Sequence, residues 1–197
     1  MSSAIVPCAH RPACPGCPSY GEPGLAADAA SCLAALACEA GLPAPLVYEG
    51  AALGFRTRAR LMTRGRAGSP RIGLFAAGTH RVVDIAHCPI HHPRVNEVVA
   101  ALRAAMRESR AKPYADSRHS GLVRALQVVV ERSTQRVQVV LVVNDLTPGA
   151  TEPLARALAQ RLGARLHSLW WNGNAERTNV ILGAHWQRLA GAEATRE

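Results

Sequence analysis

The sequence predicts an α+β fold: a cysteine-rich N-terminal loop, then a mostly antiparallel sheet with about three helices packed on it. Three observations predict this. Residues 1–22 are rich in Pro, Gly and Cys and lack periodicity. Short alternating or β-branched runs separated by turn residues recur from residue 53 onward. Three longer segments carry apolar residues at helical spacing.

The first helix is expected from about Leu25 to Ala40, with Ala29, Leu33, Leu36 and Ala40 as its apolar stripe and Gly41 and Pro43 ending it. Residues 53–63 alternate as a strand should: Phe55, Thr57, Ala59 and Leu61 share one face, and Arg56, Arg58 and Arg60 the other. Residues 71–75 and 81–85 read as two short strands. Pro93 starts a second helix whose apolar side is Val95, Val98, Val99, Leu102 and Met106; Arg103, Arg107 and Arg110 form a weaker basic stripe beside it. Leu122–Glu131 and Arg136–Val143 are β-branched runs around a short loop, hence a hairpin. Thr151 is expected to cap a third helix that Gly163 closes. Strands near Arg165–Trp171 and Thr178–Leu182 complete the fold, and residues 191–197 read as a frayed end.

The chain has 197 residues, 48% of them hydrophobic, enough for a real core and too apolar for a disordered chain. No apolar run serves as a secretory signal or a bilayer span, so a cytoplasmic, non-membrane location is expected. The formal net charge is +9, and Lys112 is the only lysine. Such arginine use reflects either genome composition or a polyanionic partner bound through its phosphates. The basic charge fits a small electron carrier poorly.

Three cysteines open the chain as Cys8-x5-Cys14-x2-Cys17, and a fourth lies in His87-Cys88-Pro89. In a reducing compartment such a set reads as metal ligands rather than disulfides. Closing it ties the N-terminal loop to the middle of the chain. Soft thiolates select zinc or an iron–sulfur cluster. Four cysteines with Cys-Pro junctions suit a [4Fe–4S] cluster. Zinc stays open, because His10, His87, His91 and His92 flank the ligands. Cys32 and Cys38 point apart on the first helix and read as bystanders. Arg56, Arg58 and Arg60, in register on one strand, form a ridge suited to a phosphate backbone. Trp170 and Trp171 are adjacent, so one is core and the other faces outward. His80, His119, His167 and His185 show no catalytic pattern.

The cysteine spacing, the stretch Gly54-Phe55-Arg56-Thr57-Arg58-Ala59, the run VVDIAHCPIHHP and the segment from Asn172 to Gly183 together resemble the iron–sulfur branch of the RNA (uracil-5-)-methyltransferases. The resemblance runs from Cys8 to about Gly191. It implies Cys8, Cys14, Cys17 and Cys88 as ligands of a [4Fe–4S] cluster, and an RNA-docking role for Phe55, Arg56, Arg58 and Arg60. In that family a thiolate adds to uracil C6, C5 takes a methyl group from S-adenosylmethionine, and a base removes the C5 proton. The nucleophile, base and cofactor belong to a further domain, which follows an F-x-Q-x-N stretch. The chain ends at Glu197, before any such stretch, and no catalytic residue is expected in it. The expected organisation is therefore a cluster site from residues 1–22 and the Cys88 region, a helix at 23–45 that packs on the missing methyltransferase domain, a central RNA-docking domain at 46–190, and the end at 191–197. S-adenosylmethionine would enter only through that missing domain, in the same or a separate subunit. A stand-alone iron–sulfur or zinc RNA-binding module without catalysis is the alternative.

Overall fold

The computed structural model describes residues 7–18, 20, 24–48 and 50–195. Its centre is one seven-stranded sheet in the order β3-β2-β1-β4-β5-β6-β7. The strands are β1 (Arg58–Arg66), β2 (Ser69–Phe75), β3 (Val82–Asp84), β4 (Val123–Val130), β5 (Val137–Val143), β6 (Leu166–Gly173) and β7 (His185–Gly191). All pairs are antiparallel except β5 with β6. That parallel pair needs a crossover, and α3 (Glu152–Leu162) supplies it. The α+β expectation therefore holds, with three α-helices among the described residues.

Helices α2 (Pro93–Glu108) and α3 pack against each other and cover one face of the sheet. Pro93 presets the first turn of α2, and the ring of His92 at its N-cap accepts from Arg94 N at 3.2 Å. Its buried side is Val95, Val98, Val99, Leu102 and Met106, as the spacing predicts, with Ala105 added. These meet Leu61, Leu126, Leu141 and Trp171 from the strands and Leu154 and Leu158 from α3. Each large apolar side chain so buried contributes about 1.5–3 kcal/mol. Trp171 is the core tryptophan of the adjacent pair.

The opposite, outer face bears no helix among the described residues. There Ala125, Val140 and Val142 are covered by Met62, Trp170, Ile181 and Leu182. Residues 178–182 are not a strand: the last strand is His185–Gly191. The reason lies in two asparagines. Asn174 Nδ2 donates to Val180 O and Ile181 O at 2.8 and 3.0 Å, and Asn172 exchanges bonds with Gly183 at 2.8 and 2.9 Å. Side-chain amides thus take the place of a ladder. Gly183 lies so close to β6 that a Cβ there would meet Gly173 O at 1.9 Å.

Three other local expectations change. The strand read over residues 53–63 begins only at Arg58; before it, Arg56 N bonds Ile90 O and His92 N bonds Arg56 O, both at 2.9 Å. Thr151 stands at the N-cap of α3 but makes no capping bond, its place being taken by a 3-10 turn, Gly149–Thr151. Arg103, Arg107 and Arg110 are not one basic stripe. Arg103 is spent on Asp84, and α2 ends at Glu108, leaving Arg110 beyond it at φ 56°.

Helix α1 (Ala27–Glu39) buries no residue. Its stripe residues Leu33 and Leu36 are 43% and 56% exposed. The extended stretch after it leaves Leu42, Leu46, Val47 and Tyr48 in solvent as well.

Candidate metal centre and nucleic-acid interface

The first 22 residues are described only in part, but all four candidate ligands are included. Cys14 is buried, while Cys8, Cys17 and Cys88 are half-buried. Two short turns shape the loop: Arg11 N bonds Cys8 O at 3.2 Å, and Cys14 N bonds His10 O at 2.8 Å. Among the described residues, a side-chain bond between His10 Nε2 and His87 O at 2.8 Å fastens the loop to mid-chain. Arg11 donates to Cys17 O at 3.3 Å, within the loop. Gly16 lets the loop settle on β2, since a Cβ there would lie 3.0 Å from the Leu74 side chain and 3.4 Å from Cys14 Sγ. Across from the loop, Asn96 of α2 clamps Cys88: it accepts from Cys88 N and donates to Cys88 O, each at 3.0 Å.

Of the four thiols, Cys17 is the one perturbed by the others. Burial pushes the Cys17 thiol up, and Cys88, Cys14 and Cys8 push it further the same way, while Arg56 opposes them. Among the described residues no three Cys, His, Asp or Glu side chains close on a single point as a one-ion site would require. Cys32 and Cys38 are exposed on α1. His91, beside the site, is held neutral: burial first, then the charge of Arg56, lower its pKa to about 4.

The candidate RNA-docking residues divide into two sets. Arg58 and Arg60 project from β1 onto the outer face and are exposed. Arg60 is steadied by Gln127 of β4, which accepts from Nε and Nη2 at 3.0 and 2.7 Å. The same face continues through Trp170 to Arg188, paired across β6 and β7. Arg56 is half-buried and sits near Cys17 and His91 instead of completing a ridge of three. Phe55 is 52% exposed just before it.

Farther along the outer face lies a constellation that local sequence patterns did not single out. Arg64 makes a bidentate pair with Asp116 at 2.6 and 2.8 Å and lies over the rings of Phe75 and Tyr114. Arg124 is buried, 4.5 Å from the Tyr114 ring centroid, and donates to Asn174 O, Glu176 O and Thr178 O. Burial pushes its pKa down, but an arginine keeps its charge. His119 bridges Tyr114 OH and Ala175 O at 2.7 and 2.9 Å. One signal was legible: a lone arginine inside the β-branched run 122–131 must find partners when that run is buried.

No protein-family model matches the chain. It is 37% identical over 153 residues to an uncharacterized RNA methyltransferase of Protochlamydia amoebophila, covering 75% of this chain and 40% of the relative. It is 30% identical over 154 residues to one of Nostoc, covering 78% and 33%. It is 32% identical over 131 residues to one of Geobacter sulfurreducens, covering 66% and 26%. Over this shared portion the chain is similar in sequence to these RNA methyltransferases. It spans at most 40% of the length of these curated relatives. Its fold is shared with the tRNA (uracil-54, C5)-methyltransferase of Pyrococcus abyssi, solved with S-adenosyl-L-homocysteine. That match has a TM-score of 0.62 at 20% identity and covers 91% of this chain and 41% of that one.

Proposed function

We propose that this chain is the cluster-bearing, RNA-docking part of an RNA (uracil-5-)-methyltransferase. The observation that supports the reading is the bond from His10 to His87 O, which fastens the N-terminal loop one residue before Cys88. Cys8, Cys14, Cys17 and Cys88 would hold a [4Fe–4S] cluster. A single zinc needs four sulfurs at about 2.3 Å from one point, whereas a cluster places several irons between them. The cluster's role is to tie the loop to the segment around Cys88. Asn96 orients Cys88 from behind, and Arg56 supplies positive charge beside the thiolates.

RNA docks on the helix-free face, with Arg58 and Arg60 on phosphates and Phe55 and Arg56 at the edge near the cysteines. Ribosomal or transfer RNA is the substrate class, and the cytoplasm is the compartment. Methyl transfer from S-adenosylmethionine to uridine C5 needs a thiolate, a base and the cofactor in one pocket, which a further catalytic domain would provide. The open side of α1, with Leu33 and Leu36, is the surface for that domain, in the same or a separate chain. This unpartnered side favours the reading over a stand-alone binding module.

Anaerobic purification tests the centre. A brown protein whose colour is lost in Cys88→Ser is expected; a colourless, zinc-loaded protein overturns the cluster. Salt titration of RNA binding tests the face. Arg58→Ala with Arg60→Ala should reduce the slope of log affinity against log salt by about 1.5; an unchanged slope removes the docking assignment. Methyl transfer by this chain alone, assayed with labelled S-adenosylmethionine, would overturn the need for a further domain.

A further inference from the structure

The constellation around Arg64 and Arg124 borders a cleft of about 320 Å³ on the outer face. Its apolar side is formed by Met62 and Ile181. One wall is the ring pair Phe75 and His80, with centroids 5.3 Å apart. Asn179 and Val180 line it from the 174–184 segment. That segment is held in place by the bonds of Arg124, Asn172, Asn174 and His119, so the cleft is preformed.

The hydrogen-bond inventory decides what fits. Arg64 spends its donors on Asp116, Thr63 O and Arg124 O, and Arg124 spends its own on backbone carbonyls and Asn174. An arginine has five N–H groups, so Arg64, with at most one left over, offers no fork to a phosphate, and Arg124 has its Nη1 group and one Nη2 hydrogen already engaged. They contribute charge instead. Asp116 offsets the charge of Arg64, while Arg124 makes no ion pair with a carboxylate among the described residues, which leaves the cleft positive. A site with an apolar side, an aromatic wall, an amide and net positive potential suits a flat ring carrying a negative tail.

We propose that this cleft takes one unstacked nucleotide of the RNA, its base against the Phe75–His80 wall and its edge read by Asn179. Sequence-reading of RNA works on such splayed bases, stacked on aromatic side chains. The proposal rests on the RNA-docking reading above and adds a base-reading subsite to a face otherwise described by phosphate contacts alone.

The test is amide and side-chain NMR of the full chain. The probes are uridine 5′-monophosphate, adenosine 5′-monophosphate and ribose 5-phosphate, with a ten-nucleotide single-stranded RNA run in parallel. At least one nucleotide should saturably shift Asn179, Ile181 and His80, and ribose 5-phosphate should leave them unmoved. Val180 is 62% exposed, so Val180→Trp narrows the cleft without disturbing the core; it should weaken nucleotide binding about tenfold. Asn179→Ala should also weaken it and alter the preference between the two bases. Ribose 5-phosphate shifting the same signals equally would overturn the proposal, leaving an anion site. So would RNA binding with no nucleotide response in the cleft. Failure of the ten-nucleotide RNA to bind, with nucleotide shifts intact, would instead strike the docking reading.

Discussion

Asp84 shows how a single side chain at the sheet edge joins three elements. It accepts from Ile72 N at 2.9 Å and from both terminal nitrogens of Arg103 at 2.7 and 2.8 Å. Burial works against its charge, but the bonds from Arg103 and Ile72 outweigh it and hold the carboxyl below its ordinary value of 3.8. Its contribution is therefore complete above about pH 4 and is lost as pH falls through the depressed folded value. Asp84→Asn should cost about 1 kcal/mol near neutral pH, discounted for a carboxylate in partial contact with solvent. The gap between variant and parent should close in acid, as denaturant melts at several pH values would show. Arg124 is a stronger case, being buried with its donors on three carbonyls and Asn174. Arg124→Met should cost about 2–3 kcal/mol and loosen residues 174–178, because the buried acceptors of Asn174 and the part-buried carbonyls of Glu176 and Thr178 lose their donor; urea unfolding and amide exchange report the two effects.

Among the elements, α1 stands apart. Its thirteen residues bury nothing, and an isolated helix of that length is marginal in water. Its amides should exchange far faster than those of α2, whose apolar side is in the core. Leu33→Glu with Leu36→Glu should change the unfolding free energy of this chain by less than about 0.5 kcal/mol. The same pair should abolish binding to a catalytic domain added in trans, read by calorimetry. A large loss of stability would instead mean that the helix already has cover. The 174–184 segment is the opposite case: it has no ladder, yet the asparagine bonds and Arg124 immobilise it.

At the scale of the molecule, the sheet separates two jobs. One face is the dry core under α2 and α3; the other carries Arg58, Arg60, the cleft and Trp170. The cysteine loop rests on β2 and the His87 segment at one end of this frame. A metal centre there would close a long chain loop, which lowers the entropy of the unfolded state. The metal-loaded parent should melt higher than both its metal-stripped form and Cys88→Ser, with the last two alike within a few degrees. Equal melting of all three in calorimetry would deny the centre any structural role.

Local periodicity and spacing were enough for the three helices and for six of the strands in outline, because each depends on residues near in sequence. They did not reach the last strand: His185–Gly191 is an exposed edge, so its side chains carry little alternation, and its pairing is made by backbone. They also misread residues 178–182, whose β-branched composition is overruled by two asparagines from β6 and the residue after it. Arg56 was placed in the phosphate ridge by alternation, but its backbone pairs with the Ile90–His92 turn, which sets it beside the thiols. By itself, then, the sequence determined the fold class and the core-facing sides of α2 and α3. Only tertiary structure decided which arginines remain available to a partner and where the cleft lies, because those depend on which carbonyls and carboxylates a guanidinium meets across distant strands.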